Sequence, residues 1–130
     1  MLYLDTSALV KLVVREPESA ALAGLLTKNS GPHVSSALAR TELVRAVRRH
    51  GDPAAAGRAL EVLAGIALMN LTAGVLDEAA VLEPRTLRTL DALHLASALR
   101  LGDDADGMVV YDARLAEAAR ARGLDVLAPG

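Results

Sequence analysis

Four acids stand out by where they fall: Asp5, Glu42, Asp91 and Asp112. Asp5 closes the short apolar run that begins at Met1, and Asp112 closes the run Met108–Tyr111. Asp91 lies at the start of a stretch, Leu90 to Leu101, that is apolar nearly all round and so should be buried. Glu42 projects beside a stripe of Ala39, Leu43, Ala46 and Val47, with Arg40, Arg45 and Arg48 on the other side. A carboxylate against a core is costly unless it is paired or bound to a metal. Several converging carboxylates repel one another unless a cation joins them. With no cysteine and only three histidines, the oxygen donors point to Mg²⁺ or Mn²⁺ rather than zinc. Such a site suits phosphodiester hydrolysis, because the cation lowers the pKa of a bound water and offsets charge developing on phosphate oxygens.

Each acid also has a plainer reading. Asp5 and Asp112 are both good N-caps for the helices that follow them. Asp91 suits a first helical turn, where the helix dipole favours an anion. Glu42 could pair with Arg45 or Arg49 along its own helix. The coincidence of all four turns the balance toward a site.

The elements that must position these acids alternate between strand and helix. The pattern predicts strands at Met1–Asp5, His33–Ser35, Ile66–Leu71, Met108–Tyr111 and Val126–Leu127. Between them it predicts helices at Ser7–Val14, Pro17–Lys28, Ala37–His50, Ala54–Ala64, Ala73–Glu83, Thr89–Leu101 and Ala113–Arg122, with Thr89 as an N-cap and Gly123 as a stop. That order implies a three-layer α/β/α fold around a mainly parallel sheet of about five short strands, with residues 1–130 as one domain. In an open parallel sheet, sites form outside the carboxyl ends of strands where the strand order reverses. If the first and fourth strands are neighbours, Asp5 and Asp112 face one crevice.

Composition narrows the function classes. The 130 residues are 52% hydrophobic, enough for a buried core, and carry 14 basic and 16 acidic residues for a formal charge of -2. All the basic residues but Lys11 and Lys28 are Arg, which suits bidentate phosphate contacts. Without cysteine, disulfides, thiolate metal sites and Cys nucleophiles are excluded. With two tyrosines as the only aromatics, any RNA binding must rest on charge and metal rather than base stacking. The opening residues lack a basic n-region, and the longest uncharged run, Val62 to Leu76, falls short of the ~20 apolar residues a membrane helix needs. A cytoplasmic, membrane-free protein is expected.

At the four acids the sequence resembles the PIN-domain family, specifically the VapC-like toxins of bacterial toxin–antitoxin modules. The resemblance rests on Leu4-Asp5-Thr6-Ser7-Ala8-Leu9, Arg40-Thr41-Glu42-Leu43, Leu90-Asp91-Ala92-Leu93-His94-Leu95-Ala96 and Val110-Tyr111-Asp112-Ala113-Arg114-Leu115. It extends to the ending Ala118–Leu124 followed by Pro129, and so spans essentially the whole chain. One departure is Val110, where many relatives carry Thr or Ser two residues before the last acid; Thr6 and Ser7 are then the nearest hydroxyls.

The resemblance implies Asp5, Glu42, Asp91 and Asp112 as the acidic site, Mg²⁺ or Mn²⁺ as cofactor, and endonucleolytic cleavage of RNA by metal-activated water. It also implies a homodimer and inhibition by a small cognate antitoxin. In this division of roles Asp5, Asp91 and Asp112 hold the metal directly or through water, and Glu42 completes the shell or positions the attacking water. Thr6 or Ser7 hydrogen-bonds a carboxylate or a metal-bound water, and Arg85, Arg88 and Arg114 are candidate phosphate grips. His94, three residues after Asp91, reads as a satisfied core residue rather than a ligand. His33 and His50 read as structural or exposed, and Asp103, Asp104 and Asp106 as a solvated acidic turn.

Other readings fit less well. A phosphate-accepting receiver domain needs a Lys at a strand end, and Lys11 and Lys28 fall in helices. A haloacid-dehalogenase-type phosphatase needs a second acid two residues after Asp5, where Ser7 stands. A metal-free ribonuclease needs two convergent histidines. A catalytically silent PIN fold acting as a protein-binding module, or an RNA-processing nuclease that is not a toxin, remain the alternatives.

Overall fold

The computed structural model describes residues 1–130. In chain order its elements are β1 (Leu2–Leu4), α1 (Thr6–Val13), α2 (Ser19–Lys28), β2 (His33–Ser36), α3 (Ala39–Arg48), α4 (Ala55–Ala64), β3 (Ala67–Met69), α5 (Ala73–Ala80), α6 (Thr89–Leu99), β4 (Gly107–Val109), α7 (Ala113–Ala121) and β5 (Val126–Leu127). The five strands form one sheet in the order β3-β2-β1-β4-β5, and every pairing is parallel.

The period of two along each strand divides the core into two layers. Leu2, Leu4 and Val109 face α1, α2, α3 and α4, while Tyr3, Val34, Met108 and Val110 face α5, α6 and α7. Central strands buried on both faces explain why β1 and β4 read as unbroken apolar runs rather than alternating ones. The helix α6 is sandwiched between the sheet and its neighbours α5 and α7, and every residue from Ala92 to Ala98 is buried.

The order of strands sets the site. After β1 the chain builds β2 and β3 on one side and then returns to place β4 and β5 on the other, so the reversal lies between β1 and β4. The register Leu2↔Gly107 through Leu4↔Val109 brings the ends of these two strands level. Because α6 leads through a 3-10 turn at Gly102–Asp104 into the start of β4, its first turn lies at the opposite, carboxyl edge of the sheet.

Boundaries depart from the expected ones in a few places. The α6 N-cap is Arg88, with Thr89 already helical and no side chain capping it, so Thr89 is not the cap. Helix α5 stops at Ala80 rather than Glu83, and Pro17 precedes α2 instead of opening it. The strand β4 ends at Val109, which leaves Val110 and Tyr111 as the turn into Asp112. Helix α7 ends as expected, with Gly123 taking the left-handed φ of 84° that closes a helix and that a side chain would strain. Lys11 carried no sequence signal, yet it fastens three segments: it pairs with Glu18 at 2.7 Å and Glu16 at 3.5 Å, and its ammonium lies 4.7 Å from the centre of the Tyr111 ring. No helix is long and apolar enough to cross a membrane.

Candidate active site

Asp5 is the first residue beyond β1, and its backbone N–H continues the ladder by donating to Val109 O at 3.0 Å. Asp5 as a whole is 5% exposed. Oδ2 accepts from the Ser7 N–H at 3.1 Å and from the Ser7 hydroxyl at 2.6 Å, so Asp5 does cap α1. The cap uses one oxygen only; Oδ1 lies 3.7 Å from His94 Nε2. Asp112 behaves alike: Oδ1 caps α7 by accepting from Leu115 N–H at 2.9 Å, and no hydrogen bond engages the other oxygen. Capping and site-building are therefore compatible for both acids, since a carboxylate has lone pairs to spare.

Ser7 ties the two strand ends together. Its hydroxyl donates to Asp5 and accepts from the Tyr111 N–H at 3.0 Å. Val110 is buried in the apolar layer at 1% exposure, so it supplies no polar group to the crevice.

Glu42 occupies the first turn of α3 and is half-buried. It does not pair with Arg45 or Arg49. Its Oε1 accepts from the Thr6 hydroxyl at 3.0 Å and from His94 Nε2 at 2.6 Å. His94 is 1% exposed, and its other ring nitrogen, Nδ1, lies 2.8 Å from the Tyr3 hydroxyl. The two rings meet edge to face with centroids 6.0 Å apart. Because a carboxylate only accepts, the proton facing Glu42 belongs to Nε2, which leaves Nδ1 to accept from Tyr3 in the neutral ring. Burial works against charging this imidazole, but the Glu42 hydrogen bond and the charges of Asp5, Glu42 and Asp91 outweigh it and raise its pKa. His94 is thus buried and doubly partnered, as expected of a core residue, yet one of those partners is an acid of the site. The Tyr3–His94–Glu42 chain was not foreseen; the signal was present in the i, i+3 placement of Asp91 and His94 and in a lone Tyr two residues before Asp5.

Asp91, half-buried in the first turn of α6, has its carboxyl pKa raised by burial first and then by the charges of Asp5 and Asp112. Arg88, at the α6 N-cap, offsets part of that rise. Three carboxylates thus feel one another across the β1–β4 crevice, and Glu42 joins Asp5 through His94. As the side chains stand, no three Asp, Glu or His groups converge closely enough to hold one ion. The donor set still suits a hard cation: it is all oxygen, its charges repel, and an oxygen on each of Asp5 and Asp112 remains unused by capping.

The three candidate arginines part company. Arg88 and Arg114 stand exposed at the starts of α6 and α7, beside Asp91 and Asp112. Arg85 lies apart, exposed on the rim of an apolar groove with Leu76, Leu82 and Leu93, and nothing links it to the acids.

Comparison with known proteins points one way. The sequence matches the family described as PIN domain over residues 2–125. It is 50% identical over 129 residues to Ribonuclease VapC46 of Mycobacterium tuberculosis, covering 98% of this chain and 97% of that one. It is 41% identical over 133 residues to Ribonuclease VapC47 of the same species, covering 100% of this chain and 98% of the relative. Among solved structures it is similar to the crystal structure of M. tuberculosis VapC20, titled a Sarcin-Ricin loop cleaving toxin, with a TM-score of 0.77 over 99% of this chain and 100% of that chain; at 19% identity the likeness is one of fold.

Proposed function

The chain belongs to the PIN-domain family, alongside VapC ribonucleases, and on that premise we propose that residues 1–130 form one PIN-like domain acting as a divalent-metal-dependent endoribonuclease, the toxin of a toxin–antitoxin pair. The observation that carries this reading is the shared crevice at the β1–β4 reversal, where burial and then the charges of Asp5 and Asp112 push up the carboxyl of Asp91. A Mg²⁺ or Mn²⁺ ion bound there would lower the pKa of a water and stabilise charge on phosphate oxygens. Asp5, Asp91 and Asp112 would hold it. Asp5 is pre-oriented by Ser7, and Asp112 by its bond to Leu115 N–H. Glu42 is held by Thr6 and His94 at the crevice edge, where it can accept a proton from the attacking water. Arg88 and Arg114 flank the crevice as phosphate contacts. The VapC relatives support an RNA substrate and a small antitoxin partner, and a homodimer is proposed on the family resemblance alone.

The decisive test is cleavage of a mixed RNA pool by purified protein, with and without Mn²⁺ or Mg²⁺, beside an Asp5→Asn control. Metal-dependent cuts that vanish in the control are expected. Equal cutting by the control would overturn the site, and no cutting by folded, antitoxin-free protein under either metal would overturn the activity.

A further inference from the structure

The acidic crevice has a neighbour of opposite sign. Arg45, Arg48 and Arg49 follow Glu42 on α3 at spacings that place all three on one side of the helix. The opposite side, formed by Ala39, Leu43 and Val47, is buried against the core. All three arginines are exposed, and they alone line a shallow, open hollow of about 300 Å³ on the surface. No carboxylate answers them: the ion pairs of the surface are made by Lys11, Arg58, Arg100 and the N-terminal amine, and none involves these three. Three like charges around one hollow repel one another, so the hollow favours an anion. At a rise of about 1.5 Å per residue, Arg45 stands roughly 5 Å and Arg49 roughly 10 Å along the helix from Glu42.

We infer that Arg45, Arg48 and Arg49 form a phosphate-holding cleft that grips the RNA backbone beside the acidic crevice, an inference that rests on the ribonuclease reading above. Guanidinium forks match phosphate oxygens in pairs. The hollow offers no apolar or aromatic anchor of the kind a protein partner would need at the centre of an interface. It reads no base, so it holds the strand regardless of sequence. The acids and the arginines then divide the work: the arginines supply affinity for a polyanion that the carboxylates alone would repel.

The test measures anisotropy of a fluorescein-labelled, single-stranded RNA of mixed sequence bound to the whole protein in EDTA, across a series of KCl concentrations. The variant Arg45→Gln/Arg48→Gln/Arg49→Gln is compared with wild type and with Arg15→Gln/Arg120→Gln/Arg122→Gln, which removes equal charge elsewhere. Glutamine is a good helix former on an exposed face, so both variants should fold, and circular dichroism checks this. The cleft variant should bind about ten-fold or more weakly at low salt, and its slope of log affinity against log salt should be shallower by about 2, from three lost phosphate contacts at roughly 0.7 each. The control should keep the wild-type slope. Equal affinity and slope in the two variants would overturn the cleft, as would tighter binding of polyglutamate than of RNA through the same arginines, which would assign the surface to an acidic protein segment. Cleavage by the wild type, run in parallel with Mn²⁺, separates the two claims. RNA held through the arginines but never cut would leave the cleft standing and overturn the ribonuclease reading, whereas cutting with unchanged binding in the cleft variant would overturn the cleft alone.

Discussion

Asp91 carries the conflict of the site in one side chain, because burial and the charges of Asp5 and Asp112 all disfavour its ionised form. A carboxyl whose folded-state pKa lies above its unfolded value, about 3.9 for Asp, contributes stability that is fully present below that unfolded value and is lost as the pH rises through the folded one. In metal-free protein Asp91 should therefore subtract stability as the pH rises out of the acid range. This runs against the gain from Glu18, Asp52 and Asp106, whose carboxyls are held low by Lys11, Arg58 and the N-terminal amine. Asp91→Asn should remove that loss and raise the urea midpoint at neutral pH. A lower midpoint for the variant would show that Asp91 is stabilising, contrary to this account. His94 lies at the other end of the balance. Its replacement by Leu removes the acceptor that the buried Tyr3 hydroxyl uses, leaving it the Ser35 and Ser97 hydroxyls as substitutes, and leaves Glu42 with Thr6 alone. A lost intramolecular hydrogen bond costs about 0.5–1.5 kcal/mol net, so His94→Leu should lower unfolding stability by about that much in urea titrations. A change within a few tenths of a kcal/mol would mean that the Tyr3–His94 contact contributes nothing.

Among elements, the junction that matters is the one between the ends of β1 and β4, and Ser7 bridges it. The hydroxyl holds Asp5 Oδ2 and receives the Tyr111 N–H, so Ser7→Ala should both loosen Asp5 and strand a backbone donor. The expected cost is about 1–3 kcal/mol of stability, together with a fall in cleavage rate. Ser7→Thr, which keeps the hydroxyl, should recover most of the rate. Failure of Thr to rescue while Ala folds normally would argue that the loop, not the hydroxyl, sets the geometry. The helix α6 illustrates the complementary case of an element whose own composition dictates its place: apolar all round, it can only be buried, and so it carries the first-turn Asp91 to the edge of a fully covered sheet.

At the scale of the whole molecule, the fold gathers Asp5, Asp91 and Asp112 at the β1–β4 edge, where the proposed cation would offset their charge. A ligand that binds only the folded state stabilises it by mass action, about 2.7 kcal/mol at a concentration 100 times its dissociation constant. Mn²⁺ should raise the melting temperature of the wild type and do so much less for Asp5→Asn. Equal shifts in both proteins would indicate binding away from the acids.

The sequence by itself determined the alternation of strands and helices, because the periods of two and 3.6 are written in the order of apolar residues and survive without knowledge of neighbours. It singled out the four acids as candidates too, since each stands at the end of an apolar run or on the edge of a buried stripe, where a charge is conspicuous. It could not decide which strands are adjacent. That choice came from the packing of α5, α6 and α7 on one face and the other helices on the opposite one, which places β4 beside β1 and draws Asp5, Asp91 and Asp112 to one crevice. Nor could it decide the partners of Glu42: the arginines on its own helix were the local choice, but His94 and Thr6, 52 and 36 residues distant in the chain, won the carboxylate. Hydrogen bonds of that range depend on the relative placement of three elements, and only tertiary packing supplies it.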